Sequence, residues 1–218
     1  MIRQLFLAAQ NIPTFIGGIQ AAGTLVLGHN YEQNGNDLTG SYPLGTTGGS
    51  PVYANNWAVQ GYAITNFGVG GLLYFVDTGI NAVFETGTFT VAMHIRTGAS
   101  LVNAGGYLIG DGSTFNGCFL RINAEYLQWN GGGGLSFNTA LTTNTNYHIA
   151  VTVGSGATTL YMNGSSDGSY ANTAITTGGT QYKIGNGLDS DVQIYDYGVW
   201  NIAMNSTQIG NIQNNLAP

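Results

Sequence analysis

Asn146-Tyr147-His148-Ile149-Ala150-Val151-Thr152-Val153-Gly154-Ser155-Gly156-Ala157-Thr158-Thr159-Leu160-Tyr161-Met162-Asn163-Gly164 carries the pattern on which the fold turns. Apolar side chains stand at every second position (Tyr147, Ile149, Val151, Val153), the two-residue period of a strand with one face inward. Gly154-Ser155-Gly156 supplies turn residues, and Thr158 to Met162 runs back as the partner strand. Asn163 and Gly164 both tolerate positive φ, so the hairpin is expected to end there in a tight turn.

The same period recurs on either side of this hairpin. Thr88 to Ile95 places Phe89, Val91, Met93 and Ile95 on one face, and Leu72 to Val76 is a continuous apolar strand expected to be buried on both sides. Phe119 to Trp129 and Leu135 to Phe137 read as a further pair, joined across the glycine run 131–134 and bent at Ala124-Glu125. Residues 182–185 and 191–201 supply two late strands. Strands at roughly 8–12-residue spacing with no helix between them predict an all-β, two-sheet antiparallel β-sandwich. One short helix is expected near the end: Asn205 stands at an N-cap position, Gln208 completes a capping box, and Ile209 and Ile212 then face the sheets. Residues 1–22 are apolar, nearly uncharged and outside the strand pattern, which divides the chain into an N-terminal arm, 1–22, and a sandwich, 23–218.

Charge narrows the function. Only 6 % of the 218 residues are Asp, Glu, Lys or Arg, with four basic and ten acidic side chains, against roughly 25 % in an average soluble protein. Arg3, Arg96, Arg121 and Lys183 are too few and too scattered to release phosphate counterions, so nucleic acid is not an expected partner. A polybasic membrane-surface role fails for the same reason, and no run approaches the ~20 apolar residues of a membrane span. The apolar start, Met1 to Ala9, is broken by Gln10, Asn11 and Pro13 and is not expected to act as an export signal. A single cysteine, Cys118, excludes an internal disulfide and reads as a small apolar core residue.

Six short stretches resemble the laminin G-like, or concanavalin A-like lectin/glucanase, jelly-roll family. Asn36-Asp37-Leu38-Thr39-Gly40 is similar to its early turn after a first strand, here Thr24 to Leu27. Thr88 to Ile95 resembles a conserved-pattern strand of the family, with His94 where an aromatic often stands. Asn146 to Thr152, Leu160 to Gly164, Lys183-Ile184-Gly185 and Tyr197 to Asn205 are similar to the later strands, turn and capped helix. The resemblance implies a jelly roll and, for several members, calcium at a rim near the early Asp, where Asp37 stands. The late position that is often Asp is Tyr195, with Asp196 beside it and pointing to the opposite face, a departure from the calcium pattern. The alternative for Asp37 is an Asx-turn to its own amides.

Catalytic chemistry finds little support. The family's glucanases carry E-x-D-x-E on a strand, and glycoside hydrolysis with retention needs two carboxyls about 5–5.5 Å apart. Glu32, Glu85 and Glu125 have no acid two residues on, and Asp189-Ser190-Asp191 falls in an expected loop. His29, His94 and His148 are far apart and lack zinc spacing; His29 reads as a rim residue and His148 as exposed or in a hydrogen-bonded structural role. For sugar, the needs are an exposed aromatic plate and nearby amide or charged groups. Strand parity puts Arg121 and Asn123 opposite Ile122, and Tyr126 and Gln128 together, so these four could line a binding surface, with Trp57 as a second plate in a loop. The competing reading is that Trp57 and Tyr126 only cover sheet edges, while Trp129 and Trp200 belong to the core.

The expectation is a non-catalytic lectin-like surface module: a phage or viral virion component (capsid decoration, fibre or spike) serving assembly and carbohydrate attachment. Its neutral amide- and hydroxyl-rich skin can be buried against neighbours without stranding charges. Expected partners are other virion or surface proteins met through the arm, further copies in a homo-oligomer or larger assembly, and glycans. The alternatives are a secreted or cell-surface glycan-binding protein and a polysaccharide hydrolase of the same fold using Asp189 or Asp191.

Overall fold

The alternation in the quoted stretch is realised as strands, and the strands assemble into two antiparallel sheets. The structure, a computed structural model, describes residues 25–29, 44–48, 52–57, 61–65, 72–76, 80–99, 106–111, 119–131, 134–172, 175, 181–186 and 192–214. Its elements are β1 (Leu25–His29), β2 (Leu44–Gly48), β3 (Val52–Trp57), β4 (Gly61–Thr65), β5 (Leu72–Val76), α1 (Ile80–Glu85), β6 (Phe89–Arg96), β7 (Tyr107–Asp111), β8 (Phe119–Asn123), β9 (Tyr126–Asn130), β10 (Gly134–Ser136), β11 (Asn146–Gly154), β12 (Ala157–Met162), β13 (Ser165–Ala171), β14 (Gln181–Asn186), β15 (Gln193–Trp200) and α2 (Ser206–Gln213). The first sheet runs β13-β12-β11-β6-β15-β4-β3 with β1 also on β15; the second runs β10-β9-β8-β7-β14-β5-β2.

The inward faces make one core. Phe89, Val91, Met93 and Ile95 of β6 and Tyr147, Ile149, Val151 and Val153 of β11 meet Leu120, Ile122, Leu127 and Trp129 of the second sheet. At roughly 25 cal/mol per Å² of apolar surface, this burial is the dominant stabilising term. Register is fixed because a one-residue slip would turn every one of these side chains to the wrong face. Asn163 (φ 50°) and Gly164 (φ 77°) adopt the double positive-φ turn anticipated for them, but the turn leads on into a further strand, β13. Ser165–Ala171 has no apolar alternation because both its faces are largely open, so its pairing with β12 was not legible.

Four local expectations change. Phe119 to Trp129 is not one strand bent at Ala124-Glu125 but a hairpin, β8 and β9 folded back on each other there, because Ala124 takes a positive φ of 53°. A helix does interrupt the strands: Ile80 and Phe84, four residues apart and both buried, seat α1 against the core. His29 does not follow the first strand but ends it, paired with Tyr197. Trp57 lies not in a loop but at the end of β3, paired with Gly61. The capped helix forms as read, with Gln208 N–H donating to Asn205 Oδ1 and Asn205 N–H donating to Gln208 Oε1, each at 3.0 Å. It covers the outer face of the first sheet, where Ile209, Ile212 and Met204 bury Ala92, Ala150, Tyr161 and Trp200 in a second apolar cluster. Trp129 and Trp200 are both fully buried, Trp129 between the sheets and Trp200 under α2. The arm 1–22, Glu32, Asp37, Cys118, Asp189 and Asp191 lie outside the described residues.

Candidate functional site

The four sugar-binding candidates on β8 and β9 come together on one surface. Ala124 takes a positive φ of 53° at the tip of the hairpin, which pairs Asn123 with Tyr126 and Arg121 with Gln128. Ile122 and Leu127 turn inward, so Arg121, Asn123, Tyr126 and Gln128 share the outer face. Tyr126 is 43 % exposed, the exposed large hydrophobic side chain among the described residues. Arg121 donates from Nε (3.0 Å) and Nη2 (2.7 Å) to Gln128 Oε1, and Gln128 Nε2 reaches Ser136 Oγ of β10 at 3.4 Å. On the other side Tyr107 of β7 stands in register with Arg121.

The result is a polar rung across four strands, Tyr107, Arg121, Gln128 and Ser136, flanked by Asn123 and the exposed Tyr126 ring. Tyr107 and Ser136 were missed from sequence because their membership depends on cross-strand register; no local signal marks it. Trp57 is not brought to this rung. It belongs to the edge strand of the first sheet farthest from β13, whereas Tyr170 of β13 donates to the Ser136 carbonyl and ties that opposite edge to β10.

A second group of polar side chains is buried on the outer face of the first sheet. His94 of β6 and His148 of β11, distant in sequence, are register partners with ring centroids 4.8 Å apart. His148 does face away from Tyr147 and Ile149, but it is covered rather than exposed, because α2 lies over that face. Asp196 Oδ2 sits 3.8 Å from His94 Nδ1. Desolvation lowers the pKa of His94 to about 4, partly opposed by its hydrogen bond to the Gln213 backbone. Burial, and then the charge of His94, hold His148 well below the ordinary imidazole value. Asp196, turned toward His94, is itself buried. Tyr195 is pushed up to about 12 by desolvation, against the pull of Arg96, and donates to Gln193 Oε1 at 2.5 Å. Among the described residues no three His, Cys, Asp or Glu side chains are grouped to hold a metal ion, and no helix is long and apolar enough to cross a membrane.

A laminin G family model, described as the concanavalin A-like lectin/glucanases superfamily, matches residues 75–210. The chain belongs to this superfamily. The match spans β6 to β15 and so contains the whole polar rung and the histidine pair. No curated protein matches the chain. Among solved structures it is similar to botulinum neurotoxin type C, described through its interaction with two ganglioside molecules (TM-score 0.70, 16 % identity, 88 % of this chain and 51 % of that one). It is also similar to the serotype D ligand-binding domain in complex with N-acetylneuraminic acid (TM-score 0.73, 15 % identity, 92 % and 52 %). A third is a botulinum neurotoxin DC binding domain in complex with rat synaptotagmin II (TM-score 0.69, 16 % identity, 88 % and 51 %). The chain spans about half the length of these proteins, and at such identities the likeness is one of fold: a lectin-like jelly roll.

Proposed function

We propose that this member of the concanavalin A-like superfamily is a non-catalytic surface module that holds carbohydrate on the outer face of the β8–β9 hairpin. The observation that carries the reading is the exposed Tyr126 ring beside a guanidinium–amide–hydroxyl row already held in place by its own hydrogen bonds. An apolar ring face suits the C–H face of a sugar, while Arg121, Asn123 and Gln128 present donors and acceptors to its hydroxyls. Side chains fixed before binding lose little entropy on binding. Two carboxyls are what hydrolysis would need, and the rung is built from a guanidinium, an amide and two hydroxyls, with a second amide, Asn123, beside it. The similar neurotoxin domains, described with gangliosides and N-acetylneuraminic acid, support sugar recognition as a use of this fold. Trp57 is a separate plate on this reading, and Asp37 remains a candidate calcium ligand.

A glycan array read with the wild type and with Tyr126→Ala tests the proposal. Binding confined to a few glycans and lost in the variant supports it; a flat array, or binding indifferent to Tyr126, overturns it.

The low charge favours a finer second reading, a structural component of a phage or virus particle. Ten acidic and four basic side chains in 218 residues leave a surface that neighbouring subunits can cover with neutral hydrogen bonds. Mass spectrometry of purified particles should then find the protein at high copy. Its absence from them leaves a secreted or cell-surface glycan-binding protein.

A further inference from the structure

We propose that His94 and His148 form an acid-operated latch beneath α2: protonation of the pair releases the helix from the outer face of the first sheet while the sandwich stays folded. Both rings are almost fully covered, 4 % and 3 % exposed, and they pack on each other at 4.8 Å. They lie under the C-terminal end of the helix. His94 hydrogen-bonds the backbone of Gln213, the last residue of α2. His148 N–H donates to Asn163 Oδ1 at 2.9 Å and its carbonyl accepts from Asn163 N–H at 2.8 Å, which brings the β12–β13 turn alongside. That turn touches the helix so closely that a Cβ on Gly164 would stand 2.1 Å from Gln213 Oε1.

The other end of the helix is held by groups that do not titrate. Thr90 Oγ1 donates to the Ile202 carbonyl at 2.7 Å and accepts from Met204 N–H at 3.0 Å. The helix thus has a pH-independent hinge before its first turn and a titratable attachment at its last.

The surroundings fix the sign of the response. Asp196 on β15 faces His94; Arg96 follows on β6, with Tyr195 coupled to it; β12 brings Tyr161, and Tyr147 of β11 lies on the opposite, core face. Asp167 of β13 is committed elsewhere, accepting from the backbone N–H groups of Asn138 and Thr139. His29 ends β1 at the register of Tyr197. Ser206–Gln213 contains no ionisable side chain. Among the described residues one carboxylate, Asp196, therefore faces the pair; with the partial negative charge of the helix end it offsets only part of the cost of a proton on His94, whose burial still holds it down to about 4. A second proton places two cations side by side out of water, which burial and mutual repulsion both oppose. Moving the helix away admits water and relieves both. An eight-residue helix is too short to persist on its own, so it holds only by docking.

Amide hydrogen exchange on the full chain, corrected for intrinsic rates, tests this at pH 7.5 and at pH 4.5. The amides of 207–213 should lose at least tenfold in protection at pH 4.5, those of β6 and β11 should stay protected, and neutralisation should restore the helix. His148→Gln, which leaves only the His94 proton to drive release, should retain clearly more α2 protection at pH 4.5 than the wild type; Asp196→Asn, which removes the partial balance on His94, should release it at higher pH. Two results overturn the latch: helix and core strands losing protection at the same pH, or His148→Gln releasing α2 where the wild type does. If either variant fails to protect β11 at pH 7.5, the other, with the wild-type exchange profile, decides.

Discussion

Arg121 and Gln128 face each other across β8 and β9, and the guanidinium delivers two hydrogen bonds to a single amide oxygen, at 3.0 and 2.7 Å. This settles which way the Gln128 amide points: its oxygen is held by Arg121, and its nitrogen is turned toward Ser136. Neither side chain is free to collapse onto the Tyr126 ring. The rung is therefore a rigid row of polar groups beside an aromatic plate, supported from below by Leu120, Ile122, Leu127 and Trp129.

Tyr126→Ala should weaken glycan binding by about tenfold or more, the equivalent of roughly 1.4 kcal/mol. Stability should change by no more than about 0.5 kcal/mol, because the ring is a surface side chain at a hairpin end. Tyr126→Phe should retain most of the affinity if the ring face is the contact. Titration calorimetry with the best array glycan and a thermal melt measure the two effects separately. A large fall in stability with unchanged affinity would make Tyr126 a sheet cover instead.

Arg121→Lys keeps the charge but cannot reproduce the fork. A lysine ammonium is a point donor, so it cannot reach Gln128 Oε1 from two nitrogens at once. The amide of Gln128 then loses its fixed orientation, and affinity should fall about tenfold, mainly through faster dissociation. The same fall should appear in Gln128→Leu, and the double variant should lose little more than either single one, because the two residues act as a unit. Dissociation rates from surface plasmon resonance, taken as a double-mutant cycle, check this.

The fold and the rung differ in how far local pattern reaches. The strands Phe89–Arg96 and Asn146–Gly154 were legible because one inward face demands alternation. Arg121, Asn123, Tyr126 and Gln128 were legible as a set because parity on each side of the break at Ala124-Glu125 decides the face, although that break is a hairpin turn and not the bend in a single strand that the pattern suggests. Tyr107 and Ser136 were not, since they join through pairing with strands of no fixed sequence distance. The histidine pair was missed for a related reason. Polar residues on the outer side of a strand read as solvent-facing, and only the docking of α2 turns that side into an interior.

Asn205→Ala should cost about 1 kcal/mol, the usual loss on removing an N-cap side chain. One half of the capping box goes, since Gln208 N–H loses its Oδ1 acceptor, while residue 205 keeps the backbone N–H that donates to Gln208 Oε1. For a chain of this size the midpoint should drop by about 2–4 °C. Asn205→Ser, which keeps a capping oxygen, should recover most of it. Differential scanning calorimetry at pH 7.5 separates the two variants.

Stability should fall as the medium is acidified from neutral, and the histidines set the window. An imidazole in the unfolded chain titrates near 6.5, whereas His94 in the folded chain titrates near 4. The unfolded state therefore binds the proton first, so the folded state is favoured fully above about pH 6.5 and loses ground progressively down to about pH 4. A difference of that size corresponds to about 3 kcal/mol for His94, and His148 acts in the same direction. Urea unfolding between pH 7.5 and pH 4 should show the loss, and His94→Gln should flatten it. If α2 lets go before the sandwich unfolds, the loss levels off once the helix is free. Both rings then titrate in water, and the remaining strands no longer feel the protons. A steady decline through pH 4 without that plateau would instead assign the acid response to the carboxylates.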